Sequence, residues 1–234
     1  MLLVPLKDDN PTRRFAILTA VLVAANLAVF AYQATLPPRA GEMFVFRLGM
    51  IPAVLLGDAE LPAAFDPVPA WTTLFSSMFL HGSIMHVAGN MLYLWTFGNN
   101  IEDAMGRARF VAFYALCGLA AAFSQALVEP DSAVPMIGAS GAVSGVLGAY
   151  LMLHPHAHVW SFAFFRFAWL PAWIVLGFWI VVQIANAWLA GPDAGGVAWW
   201  AHIGGFAAGM ALIPLFKRRG VPLFAGRTRS GPWG

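Results

Sequence analysis

The chain has 234 residues, of which 60% are hydrophobic and only 10% are charged, and its mean hydropathy is +0.71. A water-soluble core of this size does not need so much apolar surface, so the composition argues against a soluble globular protein and predicts a polytopic membrane protein. The pI of about 9.0 is typical of basic cytoplasmic loops facing anionic lipid, and we expect no nucleic-acid partner.

Six apolar stretches without charged residues are long enough to form membrane helices. They are residues 15–36, 83–99, 110–128, 138–153, 167–190 and 197–216. The sequence therefore predicts an all-α polytopic membrane protein, a bundle of six transmembrane helices. It divides into an N-terminal cytoplasmic segment (1–14), a membrane domain (15–216) and a basic cytoplasmic tail (217–234), which we expect to be poorly ordered.

The loop between the first two stretches, residues 37–82, is unusually long and keeps apolar pieces. A loop of this length and apolarity is expected to lie partly in the membrane interface. Of the 13 Lys and Arg residues, only Arg39 and Arg47 fall in this loop, and the others fall on the opposite side of the predicted bundle. This asymmetry places both termini in the cytoplasm. Because no cleavable leader is evident, we expect a bacterial plasma (inner) membrane.

Four polar residues stand out inside the apolar stretches. His86 and Asn90 are four residues apart and share a helix face. Ser140 begins the fourth stretch, and His202 lies near the outer end of the sixth. Because all three helices run inward from the outer surface, the four side chains are expected at a similar shallow depth. Intramembrane polar residues are costly and mark functional sites.

The fourth stretch is short and rich in small residues. About 16 residues span about 24 Å, less than the hydrocarbon layer of about 30 Å, so the helix would start below the outer surface beside a water-filled cavity. GxxxG pairs begin at Gly141 and Gly205 and favour close packing of the fourth and sixth helices. Such packing would bring Ser140 within reach of His202.

These residues can perform acyl transfer. A serine hydroxyl needs a neighbouring base, and His202 could take the proton of Ser140. The Ser140 N–H at a helix N-terminus, together with the side chains of His86 and Asn90, could stabilise the oxyanion. No acidic residue lies in the six stretches, so we expect a Ser–His dyad rather than a triad.

Three motifs resemble those of the rhomboid family of intramembrane serine proteases. They are HGSIMHVAGNM (81–91), GASG (138–141) and AHIGGFAAG (201–209), and they occur in the family's order. The resemblance covers roughly residues 71–216. It implies substrates that are membrane proteins with a transmembrane helix, cut near the outer membrane face within the lipid bilayer. No cofactor and no metal are expected.

The resemblance also implies residue roles. Ser140 would be the nucleophile and His202 the general base, with His86, Asn90 and the Ser140 backbone forming the oxyanion hole. Four further residues receive a structural or assisting role: His81, Glu102, Gly138 and Gly141. Two positions depart from the family pattern. Ser144 replaces an aromatic residue that packs on the histidine, and Trp200 replaces a glycine.

Two other functions remain open at this point. One is a non-catalytic rhomboid-like protein that binds membrane helices, although both Ser140 and His202 are present. The other is a haem or proton-transfer protein that uses His86 and His202. In the fifth stretch, Gln183 and Asn186 are expected to bond other helices or to line a route for substrate entry.

Overall fold

The computed structural model of the protein describes residues 3–189 and 196–226. The end of the fifth predicted stretch and the tail beyond residue 226 therefore lie outside the described residues. The helices are α1 (Ile17–Thr35), α2 (Pro38–Leu48), α3 (Pro52–Leu56), α4 (Ala70–Ser76), α5 (Ile84–Met105), α6 (Arg107–Val128), α7 (Ser140–Leu153), α8 (Ala172–Leu189) and α9 (Trp199–Phe216). The strands are β1 (Leu3–Asp8), β2 (His158–Ala163) and β3 (Arg166–Pro171).

Among the described residues, four helices are long and apolar enough to cross a membrane: α1, α6, α8 and α9. Two more helices lie among them. The apolar helix α7 has only 14 residues, and α5 has 22 residues but carries Glu102 and Asp103 in its last turn. The protein is thus a mostly helical, multi-pass membrane protein, as its composition predicts. The segment between α1 and α5 contains the three short helices α2, α3 and α4.

The three-stranded sheet corrects the all-α prediction. β1 pairs antiparallel with β2, and β2 pairs antiparallel with β3. Residues 167–171, predicted as the start of the fifth membrane helix, belong to β3, and α8 begins only at Ala172. Val159 and Ser161 of β2 are buried against the bundle, while Trp160 packs against Trp169 on the other face of the sheet, with ring centroids 5.3 Å apart.

The first part of the tail also departs from its prediction of poor order. The Arg218 N–H donates to the Ala104 carbonyl at 2.9 Å, and the Phe224 N–H donates to the Met152 carbonyl at 2.7 Å. Residues 218–225 therefore lie against the end of the bundle where α5 and α7 finish. These backbone bonds satisfy carbonyl groups that a helix C-terminus would otherwise leave free.

Asp8 at the end of β1 joins the sheet to the bundle. Its carboxylate accepts hydrogen bonds from the hydroxyl of Tyr150 in α7 and, at 2.7 Å, from the amide of Asn100 in α5. Burial raises the pKa of Asp8 from 3.8 to about 6, because the charged form loses hydration there. The folded state therefore holds a proton on this carboxyl more tightly than the unfolded chain does.

This raised pKa predicts a pH-dependent stability. A raised acid pKa favours the folded state fully below about pH 4, and the advantage is lost as the pH rises through about 6. Relative to Asp8→Asn, the wild type should lose about 1–3 kcal/mol of unfolding free energy between pH 4 and pH 7. Thermal unfolding of both proteins in detergent between pH 4 and pH 7 measures this change in unfolding free energy. Asp58→Asn, at an exposed carboxylate, serves as the control. If the difference in unfolding free energy between the wild type and Asp8→Asn does not change with pH, the prediction is contradicted.

Glu102 of α5 holds the N-terminus of α1. This buried carboxylate accepts hydrogen bonds from the Leu18 N–H at 3.1 Å, the Thr19 N–H at 2.8 Å and the Thr19 hydroxyl at 2.9 Å. The residue before α1 is Ala16, whose side chain cannot cap the helix. Glu102 therefore satisfies free N–H groups of the first turn and places negative charge at the positive end of the helix dipole.

We expect Glu102→Ala to lower the free energy of unfolding by about 2–4 kcal/mol, because buried donors at the start of α1 lose a charged acceptor. Glu102→Gln should lose less, since the amide oxygen still accepts. Thermal unfolding in detergent measures both variants, and Asp131→Ala at an exposed carboxylate is the control. If Glu102→Ala unfolds like the wild type, Glu102 is not the cap of α1.

The closest helix contact joins α7 and α9 through their small residues. A Cβ atom added to Gly205 would overlap the Gly141 carbonyl oxygen, and one added to Gly209 would overlap the Gly145 carbonyl oxygen. The two backbones therefore touch directly, as the GxxxG pairs predict. This contact sets the positions of Ser140 at the start of α7 and of His202 in the first turn of α9.

Candidate active site

The structure brings Ser140 and His202 together. The Ser140 hydroxyl lies 2.8 Å from the Nε2 atom of His202, within hydrogen-bonding distance, although the residues are 62 positions apart in the chain. Ser140 is the first residue of α7, so its own N–H belongs to the free donors of the helix N-terminus. A serine hydroxyl bonded to an imidazole is the arrangement that activates a nucleophile.

Gly138 shapes the turn that presents Ser140. Its φ angle is +122°, which favours glycine, and its N–H donates to the Ser77 carbonyl at 2.9 Å. A Cβ atom at this position would lie 2.6 Å from Nε2 of His86 and 3.5 Å from the Ser140 hydroxyl oxygen. The missing side chain thus leaves a small space that both atoms face.

The orientation of the His86 ring follows from its neighbours at the start of α5. The Gly82 N–H donates to Nδ1 of His86 at 3.4 Å, so the neutral ring carries its proton on Nε2. Nε2 is the atom that lies beside Gly138. His86 therefore directs a hydrogen-bond donor into the space next to Ser140.

His81 and Asn90 form a buried pair behind this space. The Asn90 amide donates to Nε2 of His81 at 3.0 Å, and both side chains are buried. Gln33 of α1 holds the His81 backbone, accepting from its N–H at 3.1 Å. The ring centroids of His81 and His86 are 5.0 Å apart. His81 thus contacts both predicted oxyanion donors and does not touch the Ser140 hydroxyl, which is bonded to His202.

A cavity of about 910 Å³ adjoins these residues. Ser140, His86, Asn90 and His202 all line it. Residues of all five helices from α5 to α9 line it, and the lining extends as far as Leu3 of β1. The cavity therefore combines a few polar groups with mostly apolar walls, which is the usual character of a binding cleft.

The two departures from the rhomboid pattern have structural explanations. The Ser144 hydroxyl donates to the Ser140 carbonyl at 2.6 Å, so this side chain is bonded within α7 and does not pack on the histidine ring. Trp179 of α8 and Trp199 of α9 take the aromatic position instead, with ring centroids 5.8 Å and 6.1 Å from His202. Trp200 packs against Trp188 of α8 at 5.9 Å.

Two other predicted residues lie in different surroundings. Gly141 faces Ala121 of α6 and the Ala201 carbonyl, so it serves helix packing. Glu102 binds the start of α1 and is not among the residues that line the cavity.

Gln183 bonds another helix, as the sequence predicts, since its side-chain oxygen lies 2.8 Å from Nδ1 of His202 in α9. Asn186 does not follow that prediction: its amide donates to the Val182 carbonyl within α8, and it is not among the residues that line the cavity. A polar residue in an apolar helix was the available signal for Gln183, but its partner was not predictable.

A family model for the rhomboid domain matches residues 69–219, more than half of the chain. The chain belongs to the rhomboid family. It is 32% identical over 152 residues to Rhomboid protein 1, mitochondrial, of Saccharomyces cerevisiae, covering 62% of this chain and 42% of the yeast protein. It is 30% identical over 221 residues to RHOMBOID-like protein 5 of Arabidopsis thaliana, covering 86% of this chain and 68% of the plant protein.

A third rhomboid relative is bacterial. Rhomboid protease GluP of Bacillus subtilis is 37% identical over 81 residues, which cover 35% of this chain and 15% of that protein. The chain thus spans less than half the length of the yeast and Bacillus relatives. The relatives come from mitochondria, a plant and a bacterium, so they do not support the expectation of a bacterial plasma membrane in particular.

Proposed function

We propose that this protein is an intramembrane serine endopeptidase that cleaves transmembrane segments of membrane proteins near the outer membrane face. The observation that carries the proposal is the 2.8 Å contact between the Ser140 hydroxyl and Nε2 of His202 at the wall of a cavity. A protein that only binds membrane helices would not need a hydroxyl held against an imidazole, so the non-catalytic alternative is less well supported.

The proposed reaction begins with proton transfer from Ser140 to Nε2 of His202 as the hydroxyl oxygen attacks the scissile carbonyl. The imidazolium then protonates the leaving amine, and one fragment departs. Water, deprotonated by His202, attacks the acyl-enzyme ester and releases the second fragment with Ser140 restored. A Ser–His pair supplies both proton transfers, so the reaction needs no cofactor.

The oxyanion of each tetrahedral intermediate needs preorganised donors. We assign this role to the backbone N–H of Ser140 and the side chains of His86 and Asn90. Support comes from the His86 ring, whose Nδ1 accepts from Gly82 and whose Nε2 lies beside Gly138. Asn90 lines the same cavity and has a second amide hydrogen beyond the one bound to His81.

A substrate helix would reach Ser140 from the side, between α5 and α8. Met85 and Gly89 of α5 and Phe178 and Val182 of α8 all line the cavity. We also propose that α5 and α7 cross the membrane together with α1, α6, α8 and α9, giving six spans and both termini in the cytoplasm. The 14 residues of α7 cover about 21 Å, less than the hydrocarbon layer of about 30 Å, so Ser140 would lie below the outer surface.

Active-site labelling tests the proposal directly. Purified protein in detergent should react with a fluorophosphonate probe, and mass spectrometry of the adduct should locate it on Ser140. The same preparation should cut a tagged single-span protein from a substrate panel. Absence of labelling, or an adduct on another serine, would refute the proposed activity.

A further inference from the structure

Gln183 lies on the far side of the His202 ring from Ser140. Its side-chain oxygen is 2.8 Å from Nδ1, while Ser140 is 2.8 Å from Nε2. We propose that Gln183 is the positioning residue of the general base: it holds the His202 proton on Nδ1 and so keeps Nε2 free to accept the proton of Ser140. The inference rests on the proposed function and adds a third residue, from α8, to the expected dyad.

The orientation of the Gln183 amide follows from a second contact. Its Nε2 group donates to the Trp179 carbonyl one turn earlier in α8, at 3.2 Å. With the nitrogen committed there, the oxygen faces His202 and can only accept. An acceptor opposite Nδ1 requires a proton on Nδ1, and the hydrogen bond made by one ring nitrogen decides the state of the other.

Burial strengthens the effect of Gln183 on the His202 tautomer. The Gln183 side chain is only 6% exposed, so water competes poorly for the Nδ1 proton. Trp179 and Trp199 lie against the ring at centroid distances of 5.8 Å and 6.1 Å and restrict its rotation. A neutral amide stabilises the imidazolium less than a triad carboxylate would, so orientation is its main contribution.

The residue that fixes the His202 tautomer belongs to a helix that also lines the cavity. Gln183 and Trp179 both belong to α8, which lines the cavity through Phe178 and Val182. The helix that borders the proposed substrate path therefore also sets the tautomer of the base. Nucleophile, base and positioning residue come from the three separate helices α7, α9 and α8.

The decisive variant is Gln183→Met, which keeps the side-chain length and removes the acceptor. We expect kcat for a transmembrane substrate to fall about 10- to 100-fold with KM within about twofold of the wild type, because only proton transfer is impaired. The rate of fluorophosphonate labelling should fall by a similar factor, since a small probe does not depend on helix entry. Gln183→Glu, which restores an oxygen at the same reach, should recover most of both rates.

Asn186→Leu is a matched control in the same helix. In the wild type, the Asn186 amide donates to the Val182 carbonyl one turn earlier, at 2.7 Å, just as the Gln183 amide donates to the Trp179 carbonyl. This variant should keep kcat and labelling within about twofold of the wild type. Equal losses in Asn186→Leu and Gln183→Met, or unchanged labelling in Gln183→Met, would overturn the proposal.

A tautomer measurement tests the contact without requiring activity. In the Ser140→Ala background, where Ser140 no longer donates to Nε2, nitrogen NMR of histidine-labelled protein should show His202 protonated at Nδ1. Adding Gln183→Met should give a mixture of the two tautomers, and an unchanged spectrum would overturn the proposal. A wild-type protein that neither cleaves nor labels would refute the proposed function, while the NMR result would still decide the role of Gln183.

Discussion

Replacing Ser140 by alanine should abolish cleavage of transmembrane substrates, with a fall of about 10⁴-fold or more, because no other group takes over as nucleophile. His202→Ala should lower the rate by about 10³- to 10⁴-fold, since the hydroxyl loses its base. The two effects should not add in the double variant, because the residues act as one unit through their 2.8 Å contact. Initial cleavage rates in proteoliposomes measure all three variants.

Ser124→Ala is a suitable control for this series. The Ser124 hydroxyl donates to the Ala120 carbonyl within α6 at 2.8 Å, so it is a membrane-helix serine without a histidine partner. It should cleave close to the wild-type rate, and all variants should keep the wild-type thermal unfolding within a few degrees. Substantial cleavage by Ser140→Ala would remove the nucleophile assignment.

Gly209→Ala should be the most damaging small substitution in the bundle. The added Cβ atom would overlap the carbonyl oxygen of Gly145 and lie 2.7 Å from its Cα atom, and backbone atoms cannot move aside like the end of a side chain. We expect a loss of about 3 kcal/mol or more in the free energy of unfolding. Because the same contact positions Ser140 against His202, cleavage should fall as well.

Gly177→Ala provides the comparison for Gly209→Ala. Gly177 is in the middle of α8, and an added Cβ atom there meets nothing within 4 Å. This variant should unfold at or above the wild-type temperature, since alanine favours a helix more than glycine does. Denaturant unfolding in mixed micelles compares the two. If both glycine variants behave alike, direct contact between α7 and α9 backbones does not govern stability.

The contact between Ser140 and His202 was the part of the candidate site that the sequence predicted best. Ser140 and His202 lie at the starts of two helices whose small residues require close contact, so helix polarity and packing together bring them near each other. His86 was also predictable as a cavity residue. The partner of Glu102 was not, because the rotation and tilt of α1 against α5 do not follow from apolar patterns.

The sheet escaped prediction for a physical reason. Residues 158–171 are dense in aromatic and apolar side chains, and the turn between β2 and β3 is made by Phe164 and Phe165, both with positive φ, instead of the usual asparagine and glycine. Such a run looks like the beginning of a membrane helix. Gln183 illustrates the same limit, since its partner depends on how α8 is rotated towards α9.

The pairing of Leu3 with Ala163 has a consequence for biosynthesis. The first strand leaves the ribosome long before β2 exists, and at about 5–20 residues per second the delay is on the order of ten seconds. Throughout that time β1 must stay in the compartment where the hairpin of β2 and β3 will emerge. A fusion partner that draws it across the bilayer would leave β2 with an open edge. β1 therefore finds its partner only after the helices α1 to α7 have been synthesised.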